Sequence, residues 1–471
     1  MRKKGSLLMK KFIGDRAFYR MVLHLVIPLV IQQGITSFVN LLDNVMVGGL
    51  GTESISAVAI VNQIIMVFNL SLFGGLSGAS IFGAQFFGKG DTDGMRHTFR
   101  FKLYFSIVLT LLGIGIFLLF GESFINLFLQ GESDGGNIAL TLQEGKDYML
   151  IMLVGLLPFA LVQTYAGTLR ETGETVAPMV ASVIAILTNL VLNYLLIFGK
   201  FGFPELGVKG AAIATVISRY VEMIYVLVHA HRHPEKYPFL IGLYRSFRVP
   251  FGLICNIAIT GFPLLANEVL WSLGMTFINQ CYSSRGLSAV AAINITGTAW
   301  NLFCVIMFAM GNAVSILVGQ RLGAGDKAGA RDVDNKLIFL TVVMHVIMGA
   351  LLIACSGLIP LMYNIEDAVR ATTQQLLIVA GFALPIHAFS HVTYFTIRSG
   401  GKTLITFFFD CVYTWVVPVA LAYSLCHFTA LPILWIYFAV QFIDIVKVVI
   451  GALMLRSDFW ANNVVNDIQA A

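Results

Sequence analysis

The chain has 471 residues, of which 58% are apolar and only 12% charged, roughly half the charged share of an ordinary soluble domain. A soluble protein of this size cannot hide so much apolar surface, so the composition excludes a soluble enzyme or binding module and requires an integral membrane protein. The net charge of +5 speaks to membrane topology rather than to a nucleic-acid partner, because the basic residues sit between apolar runs.

In chain order, residues 1–21 form a basic segment (Arg2, Lys3, Lys4, Lys10, Lys11, Arg16, Arg20) with apolar residues interspersed. It reads either as a short interfacial helix against anionic lipid or as a disordered positive-inside tag. Twelve runs are long enough to span, near 22–48, 56–83, 99–120, 147–168, 176–198, 210–231, 253–281, 289–318, 336–356, 373–396, 403–426 and 432–455, given about 20 residues per bilayer crossing. Apolar runs continue to the C-terminus, so the first is expected to be a span and not a cleaved leader. The expected organisation is a first lobe over 22–231, a linker over 232–252, a second lobe over 253–456 and a tail over 457–471. Most Lys and Arg lie in the N-terminal segment, the linker and the connections after spans two, eight and ten, with Arg170 after span four and Arg456 at the tail, while the alternate connections hold few. That asymmetry places both termini in the cytoplasm of a multi-pass inner-membrane protein. The six cysteines are scattered in or beside apolar runs, and neither a disulfide nor a zinc site is expected of them.

The two halves repeat each other. GAQFFGKGD (83–91) matches VGQRLGAGD (318–326), with Gly88/Gly323, Gly90/Gly325 and Asp91/Asp326 at one constant offset, which Pro28/Pro263 and Phe68/Phe303 share. LPFALVQTYAGTLRETG (157–173) matches LPIHAFSHVTYFTIRSGG (384–401) at a slightly shorter offset, as a shorter external loop in the second half requires. Six spans per repeat is an even number, so both halves enter the membrane the same way. The fold class expected is all-α, with twelve transmembrane helices in two pseudo-symmetric six-helix bundles. Two such bundles suit a carrier that rocks about a central site, which a channel or receptor does not need.

Within the spans a few polar residues stand out. Span one carries Gln33, Thr36/Ser37, Asn40 and Asp43/Asn44 at helical spacing, so they share one face. Pro28, near its inner end, removes a backbone donor and can act as a hinge. An acid in a membrane helix is costly and normally faces protein or water. Asp43 therefore reads as an ion-coupling group, with an interfacial carboxylate as the alternative. Glu268 lies near the middle of span seven in a stripe with Trp271/Ser272, Met275 and Asn279, and reads as a cation or substrate group. Arg219 with Glu222 and Asp444 with Lys447 stand three apart, and both read as structural ion pairs.

DNVMVGGLG in span one, the two Gly-rich loops, LRETGET, GVKGAAIATVISRYVE, NEVLWSLG, IRSGGKT and SDFW together resemble the multidrug and toxic compound extrusion (MATE) family, in its bacterial branch, over nearly the whole chain. The resemblance implies two bundles forming a V and export of lipophilic, often cationic compounds, driven by inward H⁺ or Na⁺. It makes Asp43 the cation carboxylate of the first lobe, with Asn189, Asn193 and Thr215 as partners. In some relatives a second acid stands at the Asn193 position; its absence here weakens the case for Na⁺ at Asp43 and leaves H⁺ open. In the second lobe the resemblance supports Glu268. Some relatives pair it with an Asp on span ten, and here that span offers His387 and His391, with Asp410 on span eleven, so a Glu268/His391/Asp410 proton cluster is one reading and satisfied structural histidines the other. Met66, Phe68, Trp271, Met275, Trp300 and Phe303, with Gln33 and Asn40, are candidates to line an adaptable cargo cavity. No metal site beyond Na⁺ at Asp43, no cofactor other than the coupling ion and no oligomer are expected. A lipid-linked oligosaccharide flippase of the related superfamily is the alternative function, disfavoured by the few mid-span basic residues. The chain shows no HExxH motif, nucleotide loop or supported Ser/His/Asp arrangement, so neither catalysis nor ATP drive is expected.

Overall fold

The computed structural model describes residues 12–48, 50–129, 138–363 and 365–466, without the side chains of 39–42, 44, 45, 48 and 52. The chain is all-helical there, and twelve helical runs are long and apolar enough to cross a membrane. They are α1 (Arg16–Gly48), α2 (Thr52–Lys89), α3 (Thr92–Leu129), α4 (Ile138–Glu171), α5 (Val176–Phe198) and α6 (Gly207–Arg232). A second set follows as α7 (Phe251–Ser283), α8 in two pieces (Leu287–Phe303 and Val305–Gly323), α9 (Lys327–Cys355), α10 (Asp367–Ser399), α11 (Thr403–Phe428) and α12 (Ile433–Arg456).

Backbone proximity divides the chain into two compact units. The first holds Ile27–Gly83 and Asp91–Cys255; the second holds residues up to Val26, Ala84–Gly90 and everything from Asn256 onward. The core of the first is built from Val61, Phe68, Leu72, Ile125, Tyr148 and Leu153, among others. That of the second gathers Ile278, Phe303, Leu352, Leu376, Leu384 and Tyr437.

The duplicated loops have a common physical cause. Gly90 and Gly325 take φ of +75° and +79°, a left-handed conformation that ends the preceding helix and that a side chain would strain. One residue later, Asp91 and Asp326 start the next helix. Each accepts a hydrogen bond from a backbone N–H three residues on, Gly94 and Gly329, both at 2.8 Å. Gly88 and Gly323 serve a different need. A Cβ on Gly88 would strike the carbonyl of Gln320, and one on Gly323 the carbonyl of Gln85, so the ends of α2 and α8 cross backbone to backbone within the second unit.

The 457–466 stretch is strapped to the same region. Trp460 is buried with its carbonyl against Gly400. Gln85 donates to the carbonyls of Ser399 and Asn462 at 2.9 and 3.2 Å and accepts from Val464 N at 2.8 Å. The linker is likewise held to α3: Arg100 donates to the carbonyls of Leu243 (2.9 Å), Gly242 (3.1 Å) and Arg248 (3.3 Å), and Arg96 to that of Phe239 (3.2 Å).

Three interruptions are not visible in the apolar runs. α8 breaks at Cys304. α11 contains two π-helical turns, Phe408–Val412 and Trp415–Val419. α12 is divided between Ile433–Phe442 and Ile445–Arg456.

Candidate functional site

In the first unit, α1 presents Asp43 to α5 and α6. Asn193 Nδ2 donates to Asp43 Oδ1 at 2.7 Å, and Asn189 lies 3.1 Å from Asn193 and 3.2 Å from Thr215 Oγ1. Turning the Asn189 amide over points its Nδ2 at both Asp43 oxygens, at 3.1 and 3.3 Å, and lets its carbonyl accept from Thr215 at 3.2 Å. A carboxylate beside an amide prefers that orientation, since only the nitrogen can donate. Both asparagines are buried. They face one way because they stand one helical turn apart, and α5 reaches α6 closely because a Cβ on Gly210 would meet the Leu196 carbonyl. Asn193 Oδ1 is buried and has no hydrogen-bond partner. The structure thus brings Asp43, Asn189, Asn193 and Thr215 into one cluster of hard oxygens.

Below it on α1 a second network forms. Gln32 Nε2 donates to Ser182 Oγ (2.6 Å), which donates to Glu222 Oε1 (2.6 Å); Arg170 donates to Gln32 Oε1 (3.0 Å), and Arg219 pairs with Glu222 at 3.5 Å. Gln33, one residue on, is exposed. Gln32 precedes Asp43 by about three full turns and falls on its face, whereas Gln33 is rotated off that face by about 80° at 100° per residue. Asn40 and Asn44 lie outside the described side chains. Asn267, the repeat equivalent of the half-buried Gln32, is buried, with Glu268 half-buried beside it.

In the second unit Tyr394 OH lies 3.5 Å from Glu268 Oε1, and Asn267 Nδ2 lies 3.4 Å from Tyr394 OH and 3.0 Å from Asp410 Oδ2. Lys447 Nζ sits 2.6 Å from Asp410 Oδ1. This corrects the reading of Lys447 as the ion-pair partner of Asp444: across the break in α12 its ammonium is placed on Asp410. Asp444 instead meets His387 Nδ1 at 3.3 Å, and His387 Nε2 meets Gln441 Oε1 at 2.7 Å. His391 makes no hydrogen bond to Glu268 or Asp410. Its ring lies against Phe308 and Phe395, and its Nε2 is buried without a hydrogen-bond partner. The expected Glu268/His391/Asp410 cluster is therefore a Glu268–Tyr394–Asn267–Asp410–Lys447 chain, with His391 beside it in an aromatic setting.

The candidate cargo-lining residues divide. Phe68 (4% exposed) and Phe303 (9%) belong to the cores of their units, so burial in a packed cluster removes them from a cavity wall. Trp300 is half-buried and meets His387 edge to face, while Met66, Trp271 and Met275 are exposed.

Sequence reasoning missed a buried ion pair. Lys102, read as one of the basic residues between spans, is 1% exposed. Its Nζ lies 2.5 and 2.6 Å from the Glu171 oxygens and 3.2 Å from Thr168 Oγ1. The available signal was the Thr168/Glu171 pair at i,i+3, which puts a hydroxyl and an acid on one face of α4.

The MatE family model matches residues 28–195 and 263–424. The chain is similar to the probable multidrug resistance protein NorM of Thermotoga maritima, at 24% identity, covering 88% of each chain. It is also similar to the multidrug resistance protein MdtK of Pectobacterium atrosepticum, at 25% identity, covering 85% of this chain and 86% of that one. Among solved structures, one described as the outward-facing conformation of a multidrug resistance MATE family transporter of the MOP superfamily shares the fold, with a TM-score of 0.83 at 21% identity over 94% of this chain and 96% of that one.

Proposed function

This chain belongs to the MatE family, and from that premise we propose that it is a secondary active carrier exporting lipophilic, often cationic compounds in exchange for H⁺ or Na⁺ by alternating access. The observation that carries the coupling role is the Asp43 cluster. A carboxylate held by Asn193, with Asn189, Thr215 and the unpartnered Asn193 Oδ1 around it, supplies the charge and oxygens that a proton or small cation requires. The relatives' names as multidrug resistance proteins support compound export as the work performed.

Asp43 takes a cation from outside, which favours the state that releases cargo. The ion-loaded carrier turns inward and discharges, and a new cargo molecule binds. Only the difference in cation affinity between the two states can shift their populations. Glu268, in the Tyr394 and Asn267 network, is the corresponding cation or cargo group of the second unit. Trp271, Met275 and Met66 offer exposed adaptable surface for apolar cargo. Pro28 lies inside the continuous helix α1, where its missing N–H removes one rung of the hydrogen-bond ladder. We assign it as the hinge at which α1 bends when Asp43 is neutralised. The expected topology has both termini in the cytoplasm of the inner membrane, which places Asp43 toward the outer side, and the carrier works as a monomer.

Dye efflux from vesicles with ΔpH and ΔNa⁺ imposed separately tests this function. Efflux should accelerate under at least one inward gradient. Efflux indifferent to both would overturn the antiporter.

A further inference from the structure

Asp410 sits where α11 leaves the α-helical path, in the π-helical turn Phe408–Val412. Such turns are rare and concentrate at functional sites, because the wider turn re-aims a side chain and loosens the carbonyl ladder. Facing it, α12 is interrupted around Asp444. Irregular backbone at membrane depth persists only where its polar groups are satisfied. Here Thr414 Oγ1 donates to the Asp410 carbonyl at 2.7 Å and Tyr413 OH to the Ile443 carbonyl at 2.9 Å. The two irregularities together seat Lys447 on Asp410. The ammonium is 2.6 Å from Oδ1, its residue is 7% exposed, and it lies 5.3 and 5.6 Å from the ring centroids of Phe409 and Tyr413. The other oxygen, Oδ2, accepts from Asn267 at 3.0 Å.

We infer that Lys447 is a tethered cation that takes the place a free sodium ion would occupy at Asp410, and so closes this unit to Na⁺. The inference rests on the carrier reading above and refines its ion specificity.

Na⁺ is held by several oxygens with open lone pairs and by uncompensated negative charge among them. Both oxygens of Asp410 are engaged by N–H donors, and one donor already carries the charge a sodium ion would bring. A covalently attached ammonium cannot diffuse away, and two aromatic faces hold it in place. Of the neighbouring charged groups, Arg398 lies over Phe395 at 5.1 Å with Nε and Nη1 unpartnered, Asp444 Oδ2 meets His387 at 3.3 Å while its Oδ1 is buried without a hydrogen-bond partner, and His391 lies nearby. Glu268 has no ion-pair partner among the described residues, and its polar contact is the Tyr394 hydroxyl at 3.5 Å. One carboxylate with one distant hydroxyl falls short of the oxygen set that a sodium site needs. The contrast with the first unit is chemical. Asp43 accepts its hydrogen bonds from neutral amides, whereas Asp410 is in contact with an ammonium.

Equilibrium binding of radioactive ²²Na⁺ to the purified full-length protein tests this without transport, so its result stands whichever gradient drives efflux. Whatever Na⁺ the wild type binds should be unchanged in Asp410→Asn. Lys447→Met should gain an additional saturable Na⁺ component, which Lys447→Met/Asp410→Asn loses and Lys447→Arg never shows. Lys447→Gln serves in place of Lys447→Met should the latter fail to fold. Wild-type Na⁺ binding that disappears in Asp410→Asn would overturn the inference, as would a folded Lys447→Met or Lys447→Gln that gains no Na⁺ binding.

Discussion

Two carboxylates that a composition plot treats alike are held in opposite ways. Glu171 is 4% exposed and meets Lys102 through both oxygens, whereas Asp43 meets only amides. The first is a buried ion pair, and the second is the group proposed to exchange a cation. Removing one member of a buried pair strands the other, at a cost of about 3–5 kcal/mol, while replacing both with apolar residues of similar size is often neutral. Lys102→Met should therefore lower the melting temperature in detergent markedly, and Lys102→Met/Glu171→Leu should restore most of it. A single variant as stable as wild type would contradict the pairing. At Asp43, the Asn193 amide stabilises the charged form by roughly 1.5–3 kcal/mol, the usual worth of a buried hydrogen bond to a charge. Asn193→Ala should shift the apparent cation affinity of transport by at least about tenfold, and transport kinetics at varied pH or Na⁺ would reveal an unchanged affinity if the contact were incidental. These residue-scale facts were only half legible in the sequence. Asp43, Asn189 and Asn193 announce themselves because an acid and two amides are expensive inside apolar runs. Lys102 does not, because a lysine at the edge of a span looks the same whether it snorkels to water or points inward. Gln32 and Gln33 are adjacent glutamines that only helical phase distinguishes.

The helices themselves were readable, since about 20 apolar residues leave few alternatives in a bilayer. Their interruptions were not. The break at Cys304, the π turns around Asp410 and the break at Asp444 depend on packing against neighbours that no single apolar run records. Consequently the Asp444/Lys447 pair, sound for a regular helix, gave way to Asp410/Lys447 and Asp444/His387. The duplicated Gly-rich loops were readable as repeats, and the structure supplies their cause in left-handed glycines, capping aspartates and a backbone crossing. At the crossing the obstacle to a Cβ is backbone, which cannot move aside as a side chain would. Gly88→Ala or Gly323→Ala should destabilise the protein by roughly 1–3 kcal/mol. Melting curves that match wild type would contradict the close approach of α2 and α8. α1 supplies a dynamic prediction at the same scale. With the ladder restored, Pro28→Ala should keep its fold and slow turnover, and unchanged turnover would remove the hinge from the mechanism.

For the whole molecule, twelve spans and an internal repeat account for membrane insertion and duplication, and the MatE match over both halves assigns the family. Orientation was read from Lys and Arg, and part of that signal does other work: Arg100 and Arg96 bind linker carbonyls, and Lys102 is buried. Enough basic residues remain around the spans for the bias to stand, so a fluorescent protein fused after residue 471 should fold and fluoresce in the cytoplasm. The carrier account turns most directly on Asp43. ΔpH- and ΔNa⁺-driven dye efflux in vesicles, compared between wild type and Asp43→Asn at matched protein content, measures its contribution. The account predicts that Asp43→Asn still binds dye but loses gradient-driven efflux. Efflux at the wild-type rate from Asp43→Asn under the same gradients would contradict it.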